Sequence, residues 1–208
     1  EEDRRPAKPK PRVVPTSGDT KSKLYNTENV LLKIILLGDS SVGKTSIMRK
    51  FTVNKFDSNY KATIGADFLA RELTVGKKQV TLQLWDTAGQ ERYESLGCAF
   101  YRGADACVLV FDVTNEQSFK RVNFWREKFM ANSRLKTRGV EGEEVPISFM
   151  LLGNKADDVT HRVVPEHVAQ DWADANSIPY IETSAKEGSN VEKAFQIIAE
   201  HTVKDINI

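Results

Sequence analysis

The sequence predicts an α/β fold: a doubly wound, mostly parallel sheet with one antiparallel hairpin strand at its edge. Three observations predict it. Apolar runs suited to strands buried on both faces, at 31–37, 106–112 and 147–153, alternate with stretches of helical period. One pair of strands is separated only by the tight turn Gly76-Lys77, which makes that pair a hairpin. Polar motifs follow the strands one after another, where ligands sit in open α/β sheets.

Residues 1–29 hold four of the seven prolines (Pro6, Pro9, Pro11, Pro15) and no apolar period, and read as a disordered arm. Residues 30–208 read as one folded domain. Its first strand, Leu31 to Leu37, runs into Gly38-Asp-Ser-Ser-Val-Gly-Lys-Thr45, which fits the phosphate-loop pattern G-x-x-x-x-G-K-[ST]. Backbone N–H groups reach a polyphosphate only where side chains do not obstruct, so glycine is needed at 38 and 43. The helix starting near Lys44 aims its positive end at the same charge. Lys44 adds a mobile cation for the β- and γ-phosphates, and the Thr45 hydroxyl suits magnesium.

That helix is expected to end near Thr52, before a polar loop over 53–63. Strands at 66–75 and 79–86 form the hairpin, with Val80, Leu82 and Leu84 on one face and Thr81, Gln83 and Trp85 on the other. A helix is expected over 116–132, with Phe119, Val122, Phe124, Trp125 and Phe129 on its apolar face. Residues 133–145 read as a solvated loop with a basic half and an acidic half. Pro165 suits the first turn of a helix running to about Asn176, and 179–183 is a short strand. Ser189-Asn-Val-Glu192 reads as a capping box opening a last helix with Val191, Ala194, Phe195 and Ile198 inward.

Composition narrows the function. Charged residues are 28% and the net charge is +1, no sign of a nucleic-acid surface. Cys98 and Cys107 read as reduced thiols of a cytosolic protein, and the three histidines show no metal-ligand spacing. No run approaches the roughly 20 apolar residues of a membrane span.

The strand-end motifs specify the ligand. Asp86, in Trp85-Asp-Thr-Ala-Gly-Gln-Glu91, suits a magnesium contact, directly or through water. Gly89 lets a backbone N–H approach the terminal phosphate, and Gln90 is placed to orient an attacking water. In Asn154-Lys-Ala-Asp157, the Asp157 carboxylate takes two hydrogen bonds only from a base edge with adjacent donors, which guanine presents at N1 and N2 and adenine does not. In Glu182-Thr-Ser-Ala-Lys186, a backbone N–H near Ala185 is expected to meet the guanine O6.

Over residues 31–204 these motifs, in this order, resemble the Ras-like small GTPases, and among those the Rabs. The Rab marks are Ile64-Gly-Ala-Asp-Phe68, Trp85 to Arg92, Leu96-Gly, Tyr101-Arg-Gly-Ala-Asp105 and Glu182 to Lys186. Tyr60 to Phe68 and Ser95 to Asp105 look most like the late-endosomal and vacuolar Rabs. The resemblance implies a GTPase domain at 30–208 that binds GTP or GDP with Mg²⁺, hydrolyses GTP and regulates vesicle traffic. It implies nucleotide contacts from Ser41, Val42, Gly43, Lys44, Thr45, Ser46, Tyr60, Thr63, Gly89, Asn154, Lys155, Asp157, Ser184, Ala185 and Lys186, with Phe56 stacked on guanine. Thr45, Thr63 and Asp86 would hold magnesium, and Gln90 would be catalytic. Residues 53–65 and 86–102 would be the two switches. Effectors would meet an exposed aromatic patch of Phe68, Trp85 and Phe100. The resemblance further implies an exchange factor and a GTPase-activating protein in trans, and a cytoplasmic protein peripheral on endosomal or vacuolar membranes. The family's prenylated C-terminal cysteines have no counterpart in Lys204-Asp-Ile-Asn-Ile208, and Ser40 and Ser41 stand where many relatives carry glycine.

Two other classes share part of the pattern. A non-hydrolysing GTP-bound scaffold is disfavoured by the retained Gln90, Thr63 and Asp86. A P-loop ATPase or kinase is disfavoured by Asp157 and Ser184-Ala185-Lys186.

Overall fold

The computed structural model describes residues 29–58, 63, 66–87, 100–133, 137–138, 144–145 and 147–206. The arm up to residue 28, Cys98, and residues 59–62, 64–65 and 88–99 of the two expected switches lie outside them. Among the described residues, eight strands and five helices follow in order: β1 Asn29–Leu37, α1 Lys44–Val53, β2 Ala66–Val75, β3 Lys78–Thr87, β4 Ala106–Asp112, α2 Glu116–Lys120, α3 Val122–Asn132, β5 Thr137–Arg138, β6 Glu144–Val145, β7 Ser148–Asn154, α4 Glu166–Ala175, β8 Tyr180–Thr183 and α5 Val191–Asp205.

Six strands make one sheet in the order β2-β3-β1-β4-β7-β8. Only β2–β3 is antiparallel; β1 pairs parallel with both β3 and β4, and β7 with both β4 and β8. The expected fold class is therefore present. All residues of β4 and β7 are buried, because helices cover both faces of the parallel strands. Strand alternation sends Leu32, Ile34 and Leu36 into a core under α1 and α5, with Phe51 against Phe195. Ile35 and Leu37 enter a second core under α3 and α4, with Trp125, Phe129 and Ala169. Chain order departs from β1 in both directions, so β1 is the switch point, and a crevice is expected outside its carboxyl end. Among the described residues no helix is long and apolar enough to cross a membrane.

Several local expectations are corrected by the structure. The helix expected over 116–132 breaks at Arg121 into α2 and α3. Val122, Trp125 and Phe129 are buried, but Phe124 points about a quarter-turn away and is 42% exposed. Its ring lies between the Arg121 guanidinium (5.0 Å) and the Lys128 ammonium (5.5 Å). The capping box does not form. Asn190, at φ 57°, precedes α5 without a side-chain cap, and its amide donates instead to Glu182 O at 2.9 Å. Glu192 pairs bidentately with Arg71 of β2 at 2.6 and 2.8 Å. Pro165 is the N-cap of α4 rather than its first helical residue. The expected polar loop contains the short antiparallel pair β5–β6.

Candidate functional site

The crevice begins with the loop between β1 and α1. Gly38 (φ 148°) passes so close to β4 that a Cβ would lie 2.0 Å from Val110 O. Gly43 (φ 97°) leaves no room either, since its Cβ would fall 2.2 Å from Asn154 Nδ2. These two glycines bring the backbone into positions that side chains would block. Ser41 lies between them in left-handed conformation (φ 65°), exposed to solvent. Val42 is buried in the core and anchors the loop from below. Gly43, the N-cap of α1, has no side chain to cap the helix and no acid sits in its first turn, so its backbone donors suit an anion.

Lys44 is buried, and its ammonium donates to the carbonyls of Gly38 and Asp39, both at 2.8 Å. Burial pulls its pKa down to about 8, against the opposing pull of Asp86 and Asp39. Ser46 is half-buried in the first turn of α1. One residue before it, the Thr45 hydroxyl donates to Asp86 Oδ2 and lies 2.9 Å from Thr63 Oγ1. Thr63 Oγ1 donates to the same Asp86 oxygen at 3.2 Å. Asp86, at the end of β3, is fully buried, and among the described residues its Oδ1 has no hydrogen-bond partner. Burial raises its pKa, while both threonine hydroxyls and Lys44 hold it down.

These oxygens fit magnesium. The ion takes hard oxygen ligands and is commonly held by one or two carboxylates plus phosphate and water. Asp86 Oδ1 is a buried acceptor with no donor among the described residues, beside two hydroxyls. Among the described residues no three His, Cys, Asp or Glu gather as a metal cage, so the hydroxyls and phosphate oxygens would complete the set.

The other end of the crevice is built from β7 and β8. Asn154 is 2% exposed and joins three segments. Its amide nitrogen donates to Val42 O at 2.8 Å, and its Oδ1 accepts from Ala185 N (3.2 Å) and Thr183 Oγ1 (3.3 Å). The Ala185 N–H expected to face guanine O6 is thus engaged by Asn154. Lys155, at φ 67°, reaches Asp112 Oδ2 at 2.5 Å. The Asp157 side chain is mostly buried, 3.7 Å from Lys186 Nζ, which stays exposed. Ala156 N–H donates to Thr183 O, tying the two base-side loops together. Ser184 is buried, its hydroxyl accepting from Glu187 N. Phe56, past the end of α1, is 41% exposed. Tyr60, Gly89 and Gln90 lie outside the described residues.

Sequence reasoning missed two features. One is the bridging geometry of Asn154. The other is Asp39, whose carboxylate accepts from Trp125 Nε1 at 2.7 Å. The i, i+4 spacing of Arg121 and Trp125 was the only local signal of a shared target.

On the outer sheet, Phe68, Trp85 and Phe100 do form one cluster, with ring centroids 5.1 and 5.4 Å apart. It is half-buried rather than freely exposed, because Trp85 also packs on the second core. Lys33 Nζ lies 4.8 Å from the Trp85 ring centroid.

The sequence pattern of the Ras family matches residues 33–204, nearly the whole described crevice and sheet. The chain belongs to the Ras family of small GTPases. Its relatives place it in the Rab branch. It is 53% identical over 175 residues to the Ras-related protein Rab7 of Drosophila melanogaster, covering 84% of this chain and 81% of that one. It is 54% identical over 177 residues to the Ras-related protein RABG3f of Arabidopsis thaliana, covering 84% and 83%. It is 52% identical over 182 residues to the Ypt/Rab-type GTPase ypt7 of Pyricularia oryzae, covering 86% of both. As a Ras-family member, this small GTPase has its phosphate loop at 38–45 and its strand-end motifs around one crevice.

Proposed function

We propose that this Rab-branch GTPase is a GTP/GDP switch that hydrolyses GTP slowly and recruits effectors in its GTP state. Its site of action is vesicle traffic at late endosomes, lysosomes or vacuoles, a reading supported by relatives named Rab7 and ypt7. Residues 29–208 are its GTPase domain, with Asn29 opening β1, and residues 1–28 an appended arm. The observation that carries the reading is the convergence of Thr45, Thr63 and Asp86 beside Lys44 at the loop mouth.

Lys44 exchanges two carbonyl acceptors for the β- and γ-phosphates, and the uncapped start of α1 receives the remaining charge. Thr45, Thr63 and Asp86 would hold Mg²⁺, which when bound neutralises charge on the phosphate oxygens. Thr63 belongs to the first switch, so loss of the γ-phosphate releases that segment and changes the surface offered to partners. The aromatic cluster Phe68, Trp85 and Phe100 borders the switches and is the proposed effector contact. Asp157 accepts from guanine N1 and N2, Phe56 stacks on the base, and the Lys155 stem lines its other side. O6 shares the Ala185 N–H or takes the next one, at Lys186. Gln90 orients the attacking water; the rate without a stimulating protein is on the order of 10⁻⁴ per second in a related enzyme.

The test is nucleotide extraction from the purified protein, followed by single-turnover phosphate release from wild type and Gln90→Leu. Bound guanine nucleotide, slow release and a further slowed variant that still binds GTP are expected. Bound adenine nucleotide, or GTP that persists unhydrolysed in wild type with an activating protein present, would overturn the proposal.

A further inference from the structure

We infer that Asp39 is a positioning residue, held off the nucleotide phosphates by Trp125 and Arg121, and that this clamp on the phosphate loop slows nucleotide release. The inference rests on the guanine-nucleotide reading above.

Asp39 is an acid in a loop built to receive a polyphosphate. Its backbone carbonyl accepts from Lys44 Nζ, and its charge is close enough to favour the lysine's ammonium form. Left free, the carboxylate would repel phosphate and compete with it for Lys44. It is not free. Asp39 Oδ1 accepts from Trp125 Nε1 at 2.7 Å and lies 3.3 Å from Arg121 Nε. The Arg121 guanidinium in turn lies 5.7 Å from the Trp125 ring centroid.

The backbone makes this possible. The Trp125 backbone N–H donates to Arg121 O at 3.1 Å, so the two side chains lie one helical turn apart on one side of the chain. Trp125 is 3% exposed, so its indole N–H has no water to fall back on and keeps its bond to Asp39. Arg121 cancels the carboxylate charge locally. Asp39 therefore presents a carbonyl to the loop, while its carboxylate is turned towards α3.

Two outcomes separate positioning from mere stapling. The full chain is loaded with a fluorescent GDP analogue and its release is followed in excess GDP. Trp125→Phe removes the indole N–H, and Arg121→Gln removes the charge from a half-exposed site that does not belong to the core. Each is expected to speed release about tenfold, the equivalent of ~1.4 kcal/mol for one charged hydrogen bond. Adding Asp39→Ala to either variant is expected to restore slow release, since the offending carboxylate is gone. Unchanged release in Arg121→Gln overturns the inference. So does Asp39→Ala that alone speeds release as much as the other two and rescues neither, which is the behaviour of a structural staple. If Trp125→Phe unfolds, Arg121→Gln with and without Asp39→Ala carries the test alone. A wild-type chain that retains no guanine nucleotide would instead overturn the reading on which the inference rests.

Discussion

Removing the Asn154 side chain tests whether the crevice is held together from within. Asn154→Ala deletes the donor to Val42 O and the acceptor for Ala185 N and Thr183 Oγ1. The Thr183 hydroxyl can rotate to another partner, but the two backbone groups cannot. Each buried backbone group left unpaired costs roughly 1–3 kcal/mol, so the loss should be about 3 kcal/mol. For a domain of this size that lowers the melting temperature by roughly 6–12 °C. Urea unfolding of nucleotide-free protein is the direct assay, because it leaves out the linked binding energy. GDP release should accelerate in parallel, since Val42 anchors the phosphate loop to β7 through this amide. Gly43→Ala should imitate the defect, as its Cβ would fall 2.2 Å from Asn154 Nδ2 and push the amide off Val42 O. A loss under about 1 kcal/mol in Asn154→Ala, within the ordinary range of a single neutral hydrogen bond, would refute the bridging role.

Asp157→Asn should move the preference from guanine towards xanthine nucleotides, because an amide now offers a donor where a carboxylate accepted; competition against labelled GDP reads this, and unchanged preference would contradict it. Lys44 makes stability depend on pH. The unfolded chain keeps this proton to about 10.5 and the folded chain only to about 8, so the unfolded state binds more protons between those values and nucleotide-free stability rises with pH across that window. Denaturation midpoints against pH should show the rise in wild type and lose it in Lys44→Met; identical profiles would show that Lys44 is not the cause. Trp85→Ala should cost about 1–2 kcal/mol, as expected of a half-buried ring, yet abolish GTP-dependent capture of partners with GDP affinity intact. Capture that survives a clear fall in melting temperature would leave the ring a packing role only.

Much of this protein is legible in short windows of its sequence. β1, β4 and β7 are apolar runs because both their faces are covered, and that demand is written into every residue of each strand. The phosphate loop is legible because a close backbone approach requires glycine at fixed spacing, and Gly38 and Gly43 indeed stand where a Cβ would collide. The meeting of Thr45 with Asp86 follows from strand order, since parallel strands deliver their carboxyl ends to one edge. Tyr60, Gly89 and Gln90, equally legible as motif residues, lie outside the described part of the chain.

The remaining features depend on partners that no local window contains. Trp125 donates to Asp39, which lies 86 residues before it. The Asn154 amide binds Val42 across 112 residues, and Glu192 leaves its own helix terminus for Arg71 across 121. For Glu192 the local option was a capping box, and a charged long-range partner outcompeted it. Local patterns set which segments become strands and helices, since their period decides which face is covered. The pairing of polar groups in the crevice is settled only once the sheet has brought those segments side by side, because a buried donor or acceptor must take whichever partner lies within reach.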